Sequence, residues 1–300
     1  MLLLVAAAHA APPAVNAVAD ALGEVQLSHE LKPVSAGSQP RALVRYHPVP
    51  GKARTYETAS GGTMSMEITG PDGSAMPMPA QKMPTTVMSV TTKVGEPKPN
   101  GFVPVRTEVG GARVDGATPD VAAMMQPQLD LMKGVSFDVL VSDQGLPVQL
   151  DVTGGDPALA QGIQSMADQM VGRMPVFPDT PIGPGASWTL EMHMAMMGMD
   201  LIVTQTQTLK SVDAHQAVID LVMTMRAGDG KIEAPGMPPG AEASLTKLVG
   251  TDTGKMTVDL DTVVALGSID MDMDMGMKVS APGQGAMGMG MKMEQHTEMR

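Results

Sequence analysis

The chain has no cysteine, and its 300 residues include only three Phe, two Tyr and one Trp. The first absence excludes a disulfide framework, thiolate metal ligands, cysteine nucleophiles and a lipidated-cysteine anchor. The second means that other side chains fill the volume that aromatics normally occupy. Basic clusters are lacking as well: 20 Lys and Arg stand against 32 Asp and Glu, for a net charge of −12. Such a chain repels phosphate backbones and anionic membrane surfaces, so nucleic acid is not an expected partner. Beyond the N-terminus no apolar run approaches the roughly 20 residues of a spanning helix, so no integral membrane segment is expected in the mature chain. Neither a Gly-x-Ser-x-Gly elbow nor a His-Glu-x-x-His motif occurs, and the six histidines are scattered, reading as surface or loop residues. The expectation is a non-enzymatic protein without a resident cofactor.

What the chain has instead is methionine, 31 of them. The side chain is unbranched and polarizable, suited to irregular or adaptable apolar surfaces. The pattern is densest between Ile269 and Met293. At a period of two, Met271, Met273, Met275 and Met277 fall on one face of a strand, with Asp270, Asp272, Asp274 and Lys278 on the other. After the turn-forming run Val279 to Ala286 the beat returns, with Met287, Met289, Met291 and Met293 set against Gly288, Gly290, Lys292 and Glu294. Two such strands, paired, lay eight thioethers on one wall. These eight residues are the candidate ligand-binding set.

The first ten residues have the apolar character of a secretory signal, and Ala8-His9-Ala10 supplies an A-x-A cleavage pattern, which predicts a mature start at Ala11. Residues 11–39 read as a short amphipathic helix (Val15, Val18, Leu22, Val25) and a Pro/Gly/Ser linker. Strands are predicted at 42–47, at 54–59 and 63–69 as a hairpin across Ser60-Gly61-Gly62, at 85–94, 103–109, 135–142 and 147–152. In the second half they are predicted at 188–196, 201–209, 216–225, 255–261 and in the methionine hairpin. Helices are predicted at 118–133, with Thr118 as cap, Pro119 at the first position and a kink at Pro127, and at 156–174.

Pro48-Val-Pro-Gly51 followed by Thr55-Tyr56 is similar to Ile182-Gly-Pro-Gly185 followed by Trp188-Thr189, and Gly134 to Asp138 is similar to Gly254 to Asp259. The chain therefore reads as one β-rich domain, residues 40–300, with duplicated halves at about 40–155 and 156–300 that share one sheet. These phrases, with Pro184-Gly185-Ala186-Ser187-Trp188 and the methionine-beaded final strands, resemble an uncharacterised family of exported bacterial strand-rich proteins. In arrangement the chain is similar to periplasmic lipoprotein carriers of the LolA/LppX type. That resemblance implies a curved antiparallel sheet cradling helices over an apolar cavity, and it implies no catalytic residues.

The expected architecture is thus mainly β (α+β). It is a curved antiparallel sheet, a half-barrel or open barrel, with two or three covering helices. The expected function is binding or carriage of an apolar molecule, possibly a lipid, in the periplasm or outside the cell. Copper is an alternative, because soft thioethers select Cu(I) and Met192, Met194 and Met196 extend the supply offered by Met289 and Met291. Strand parity places His193 and His296 on faces opposite the neighbouring methionines, which disfavours mixed Met/His sites. A structural or interaction module of the cell envelope is the third reading. Asp270-x-Asp272-x-Asp274 is not a calcium loop, since Met275 and Ala281 stand where that loop needs Gly and Glu. Gly283-x-Gly285-x-x-Gly288 joins two strands with no following helix and lacks the geometry of a dinucleotide site.

Overall fold

Alternating polar and apolar residues dominate the chain, and they fold as strands. The computed structural model describes residues 28–155, 174–196, 199–227, 231–232, 242–281 and 284–300. The predicted signal segment, the helix near residues 15–25 and nearly all of the predicted helix 156–174 lie outside them. In chain order the strands are β1 (Ser28–Ser35), β2 (Ala53–Thr69), β3 (Ala75–Pro77), β4 (Gln81–Val94), β5 (Val103–Asp115), β6 (Ser136–Val141) and β7 (Pro147–Thr153). They continue as β8 (Ser187–Met196), β9 (Met199–Val212), β10 (Gln216–Ala227), β11 (Lys231–Ile232), β12 (Glu242–Asp259), β13 (Val264–Ala281) and β14 (Gln284–Met299). All fourteen belong to one sheet, ordered β1-β8-β9-β10-β12-β13-β14-β2-β4-β5-β6-β7, with β11 paired to β12 and β3 to β2. Every pairing is antiparallel, and the path is open, ending on β1 and β7. The stretches on either side of residue 155 each contribute a meander, and β14 joins them through β2. Gly51 and Gly185, which precede β2 and β8, share a φ of 79°.

The sheet is curled. Val103 and Val105 of β5 and Val139 and Val141 of β6 share one core with Trp188 of β8, Leu209 of β9 and Ile219 of β10. Six strands separate β5 from β9 along the sheet, so only a curved sheet brings them together. An aromatic group seals this core: Tyr46 and Phe177 lie 5.3 Å apart, Phe177 and Trp188 6.1 Å apart. Burial leaves the polar end of each such ring in need of a partner. Trp188 Nε1 donates to the Val176 carbonyl at 2.7 Å, and Tyr46 Oη donates to that of Pro175 at 2.9 Å.

Among the described residues there is one helix, α1 (Pro119–Asp130), fewer than the two or three expected. Pro119 starts it as predicted, although the Thr118 side chain makes no capping hydrogen bond. It packs beside β5, where Gln126 Nε2 donates to the Ala112 carbonyl at 2.9 Å, and none of its residues is buried. It therefore lies three strands from β14, not over the methionine hairpin.

Three local expectations are corrected. The predicted strand 42–47 forms only an isolated bridge, Ala42 to Ile182, because its later backbone groups bond to turns: Tyr46 N–H to Asp143 O and His47 N–H to Leu260 O. The predicted hairpin across Ser60-Gly61-Gly62 is instead one long strand, β2, with a register shift against β4 between Ser60 and Gly62. A Cβ on Gly62 would fall on the backbone oxygen of Glu294, so glycine here serves close strand approach, not a turn. Finally, the run Val279 to Ala286 is mostly strand, since β13 extends to Ala281 and β14 begins at Gln284.

Candidate functional site

The methionine hairpin forms, and its register keeps the methionines of both strands on one face, as their alternation predicts. Met273 faces Met293, Met275 faces Met291, Met277 faces Met289, and Val279 faces Met287. Met271 lies across from Gln295, so seven of the eight predicted methionines pair with one another or with an aliphatic neighbour. The other face carries the exposed Asp270, Asp272, Lys278, Lys292 and Glu294. Asp274 is half-buried there and accepts from Lys247 Nζ at 2.6 Å. His296 also lies on that face, 2.6 Å from Asp270 through Nδ1, away from the methionines.

The wall is wider than the hairpin. Across β14, Met291 faces Met66, Met293 faces Met64 and Met289 faces Ile68 of β2, and Ile68 in turn faces Met76 of β3. On the other flank Met275 faces Leu248 and Met277 faces Leu245 of β12. Cross-strand neighbours have Cβ atoms about 4.5–5.5 Å apart, close enough for continuous side-chain contact. Sulfur-bearing side chains thus form rows across β13, β14, β2 and β3. The β2 and β3 members carried no periodic signal as dense as that of the hairpin and were not assigned to a site from sequence.

Burial separates this wall from an ordinary core. Ile269 has the parity of Met271 to Met277, and the β13–β14 register is unbroken from Gly267 to Ser280, so all share one face. Yet Ile269 is 1% exposed, packed with Leu221 and Met256, whereas Met271, Met273, Met275, Met277, Met289, Met291 and Met293 are all half-buried and Met287 is 49% exposed. Between the sealed core and the wall lies a belt of inward polar groups: Gln205, Gln207, Asp252 and Thr297 are buried. Gln207 Nε2 donates to Gln205 Oε1 at 2.7 Å, while Gln207 Oε1 finds no partner.

The copper alternative drew on two places that the structure does not bring together along the sheet. Met192 is buried with Val176, Leu190, Val203 and Met223, and four strands separate β8 from β14. The side chains of Met194 and Met196 lie outside the described ones. A surface cleft of about 320 Å³ lies elsewhere, lined by Lys255, Thr257, Leu266, Ser268 and Glu298 among others.

A second cluster escaped sequence reasoning entirely. His47 comes from the irregular segment before β2, and His215 and Asp261 come from the β9–β10 and β12–β13 turns; the three converge at the sealed end. Asp261 is nearly buried and lies 2.8 Å from Lys52 Nζ, whose hydrogen bond holds the carboxyl below the usual carboxylate range. Sequence separations of 168 and 46 residues leave no spacing motif to find.

A family of unknown function, DUF6263, matches residues 159–265, a little over a third of the chain, running to the start of β13. No curated protein matches. Among solved structures, two mutant forms of a porin from Rh. blastica are similar at TM-scores of 0.23, with 6% and 7% identity. A third mutant form gives 0.21 at 7% identity. Each comparison covers 83% of this chain and 100% of the porin. Likeness at that level carries no argument about fold or function. No described helix is long and apolar enough to cross a membrane, which leaves membrane crossing by strands unaddressed.

Proposed function

We propose that this chain is a non-enzymatic binding protein that takes an apolar molecule, such as a lipid acyl chain, against the methionine wall, in the periplasm or outside the cell. The observation that carries the reading is a half-exposed apolar face, continuous with the sealed core, spread over four adjacent strands. Water contact at such a face is unfavourable by about 25 cal/mol per Å² of apolar area, so a ligand that covers several methionines gains from burial alone. Methionine adapts its shape to ligands of different outline. A carrier role of the LolA/LppX type agrees with the curved antiparallel sheet, and the charged opposite face keeps the wall's back wetted.

Cu(I) binding is the second reading, supported by the row Met66–Met291–Met275, which sets three thioethers on adjacent strands. One variant separates the two: Met271, Met273, Met289 and Met291 all changed to Leu. Leucine keeps volume and apolarity but loses the sulfur. The expected result is uptake of a fluorescent fatty-acid probe by parent and variant alike, with no competition for Cu(I) under reducing conditions. Tight Cu(I) binding by the parent, lost in the variant, would replace the carrier reading with the copper one. If neither ligand binds either protein, both fail and an interaction module of the cell envelope is the better description.

A further inference from the structure

The cluster at the sealed end is built from backbone upward. Asp213 Oδ1 accepts from the backbone N–H groups of His215 and Gln216, at 2.8 and 2.9 Å, and fixes the β9–β10 turn. Asp259 Oδ1 does the same for Asp261 and Thr262, at 3.0 and 3.1 Å, in the β12–β13 turn. The segment before β2 is tied to that turn by Val49 N–H to Asp261 O, and Leu260 N–H donates to His215 O. Three remote pieces of chain therefore hold one carboxylate and two imidazoles in place. His47 and His215 are 6.2 Å apart by ring centroid and inclined at 30°.

We infer that His47, His215 and Asp261 form a binding site for a divalent metal of borderline softness, Zn(II) in the first place. Two observations carry it. The first is distance: His47 Nδ1 is 3.4 Å and His215 Nδ1 is 3.3 Å from Asp261 Oδ1. Ligands about 2.0–2.1 Å from a tetrahedral ion are separated by about 3.3–3.4 Å, so two edges of the tetrahedron already stand. The second is the hydrogen bonding of His47, both of whose ring nitrogens face acceptors. In the tautomer that keeps the ring proton on Nε2, that nitrogen donates to the Ala214 carbonyl at 2.6 Å. Nδ1 then turns its lone pair toward Asp261 Oδ1 and the Leu260 carbonyl at 3.2 Å, an arrangement that a cation completes. A ligating histidine characteristically donates its other N–H to a carbonyl or carboxylate, the role Ala214 O serves here. Imidazole and carboxylate suit Zn(II), while the thioethers at the far end of the sheet do not. The histidine side chains are 51% and 72% exposed, so an ion enters from solvent and keeps an open position. Lys52 is the opponent: its ammonium holds the other carboxylate oxygen and repels an incoming cation.

Zinc alone is the probe, added to metal-free full-length protein and followed by isothermal titration and by competition with a chromogenic chelator. Cobalt(II) substitution reports geometry through its visible absorption. One equivalent is expected to bind with tetrahedral cobalt absorption. His215→Ala is expected to weaken binding by at least about tenfold, and Lys52→Met to strengthen it. His215 is on the surface, so its variant keeps the fold, and an unchanged melting temperature without metal verifies this. Binding that survives His215→Ala undiminished, octahedral cobalt spectra, or no binding at all would each overturn the site.

Discussion

The two ends of one sheet face are made of different material. At the sealed end the face is branched and aromatic: Val94, Val105, Val139, Val141, Trp188, Leu209 and Ile219 are at most 5% exposed and interlock across the curl. At the other end, on β13 and β14, the face turns to methionine and stays half-buried or, at Met287, exposed. The difference follows from what each end faces. A closed core rewards stiff side chains with few rotamers, because each must fit one shape. A face without a fixed partner of its own pays little in fit for flexible side chains and gains adaptability. Methionine is not confined to the open end, since Met192, Met223 and Met256 are buried. It is the dense run of half-buried methionines that marks the part of the surface the fold leaves open.

The most damaging way to probe this contrast is at the sealed end. Trp188→Ala removes a wholly buried indole and leaves the Val176 carbonyl without its donor. A loss of about 3–5 kcal/mol is expected from urea unfolding followed by circular dichroism. A loss below 1 kcal/mol, on the order expected of surface sites, would mean that the aromatic group is not the keystone of the core.

A sharper comparison lies within β13 alone. Ile269→Ala opens a cavity at a residue 1% exposed and is expected to cost about 2–5 kcal/mol. Met275→Ala, six residues further on the same face, removes a half-buried side chain and should cost about 1 kcal/mol, the centre of the range for point substitutions. Trp188, the chain's one tryptophan, reports both transitions by fluorescence. Equal losses would show that the methionine end is sealed like the core and would remove the basis of the carrier proposal.

Gly62 stands near the border of the two regions. With a Cβ placed against Glu294 O, Gly62→Ala must push β2 and β14 apart, at a cost of about 1–3 kcal/mol. Because Met64 and Met66 follow on β2 and face Met293 and Met291, the same variant should loosen the wall and weaken probe uptake more than it affects the Trp188 environment. Equal effects on both readouts would mean that the two ends are not separable.

How far these regions were legible in the sequence depends on how local their physics is. The two faces of the hairpin follow from period-two alternation, and the start of α1 from Pro119; both need only neighbours along the chain. The length of β2 was not legible, because Gly61-Gly62 signals a turn unless one knows that β14 lies against it. The same holds for β12, which begins at Glu242, thirteen residues before its predicted start. The wall's extension to Met64, Met66 and Met76 depends on which strand neighbours β14, a fact of topology. His47, His215 and Asp261 meet because two turns and the segment before β2 are tied by backbone hydrogen bonds, and no periodicity encodes that.

The smallest effect tests the back of the wall. Asp272 is exposed on the charged face, directly across from Glu294 on β14 and Thr251 on β12. Like charges facing each other across a strand pair are unfavourable, although exposed and well solvated ones interact weakly. Asp272→Asn should therefore be neutral or slightly stabilising, within about 0.5 kcal/mol, and any gain should shrink as salt screens the pair. Its neighbour Met273 points the other way, facing Met293, so Met273→Asp places a charge among thioethers and should destabilise clearly. Because Met273 is half-buried, that loss should stay below the loss from an aspartate at Ile269, where no solvent reaches the carboxylate. The expected order in urea midpoints is Ile269→Asp lowest, then Met273→Asp, then Asp272→Asn near the parent. An Asp272→Asn protein that unfolds as readily as Met273→Asp would mean that the two faces of β13 are not distinct.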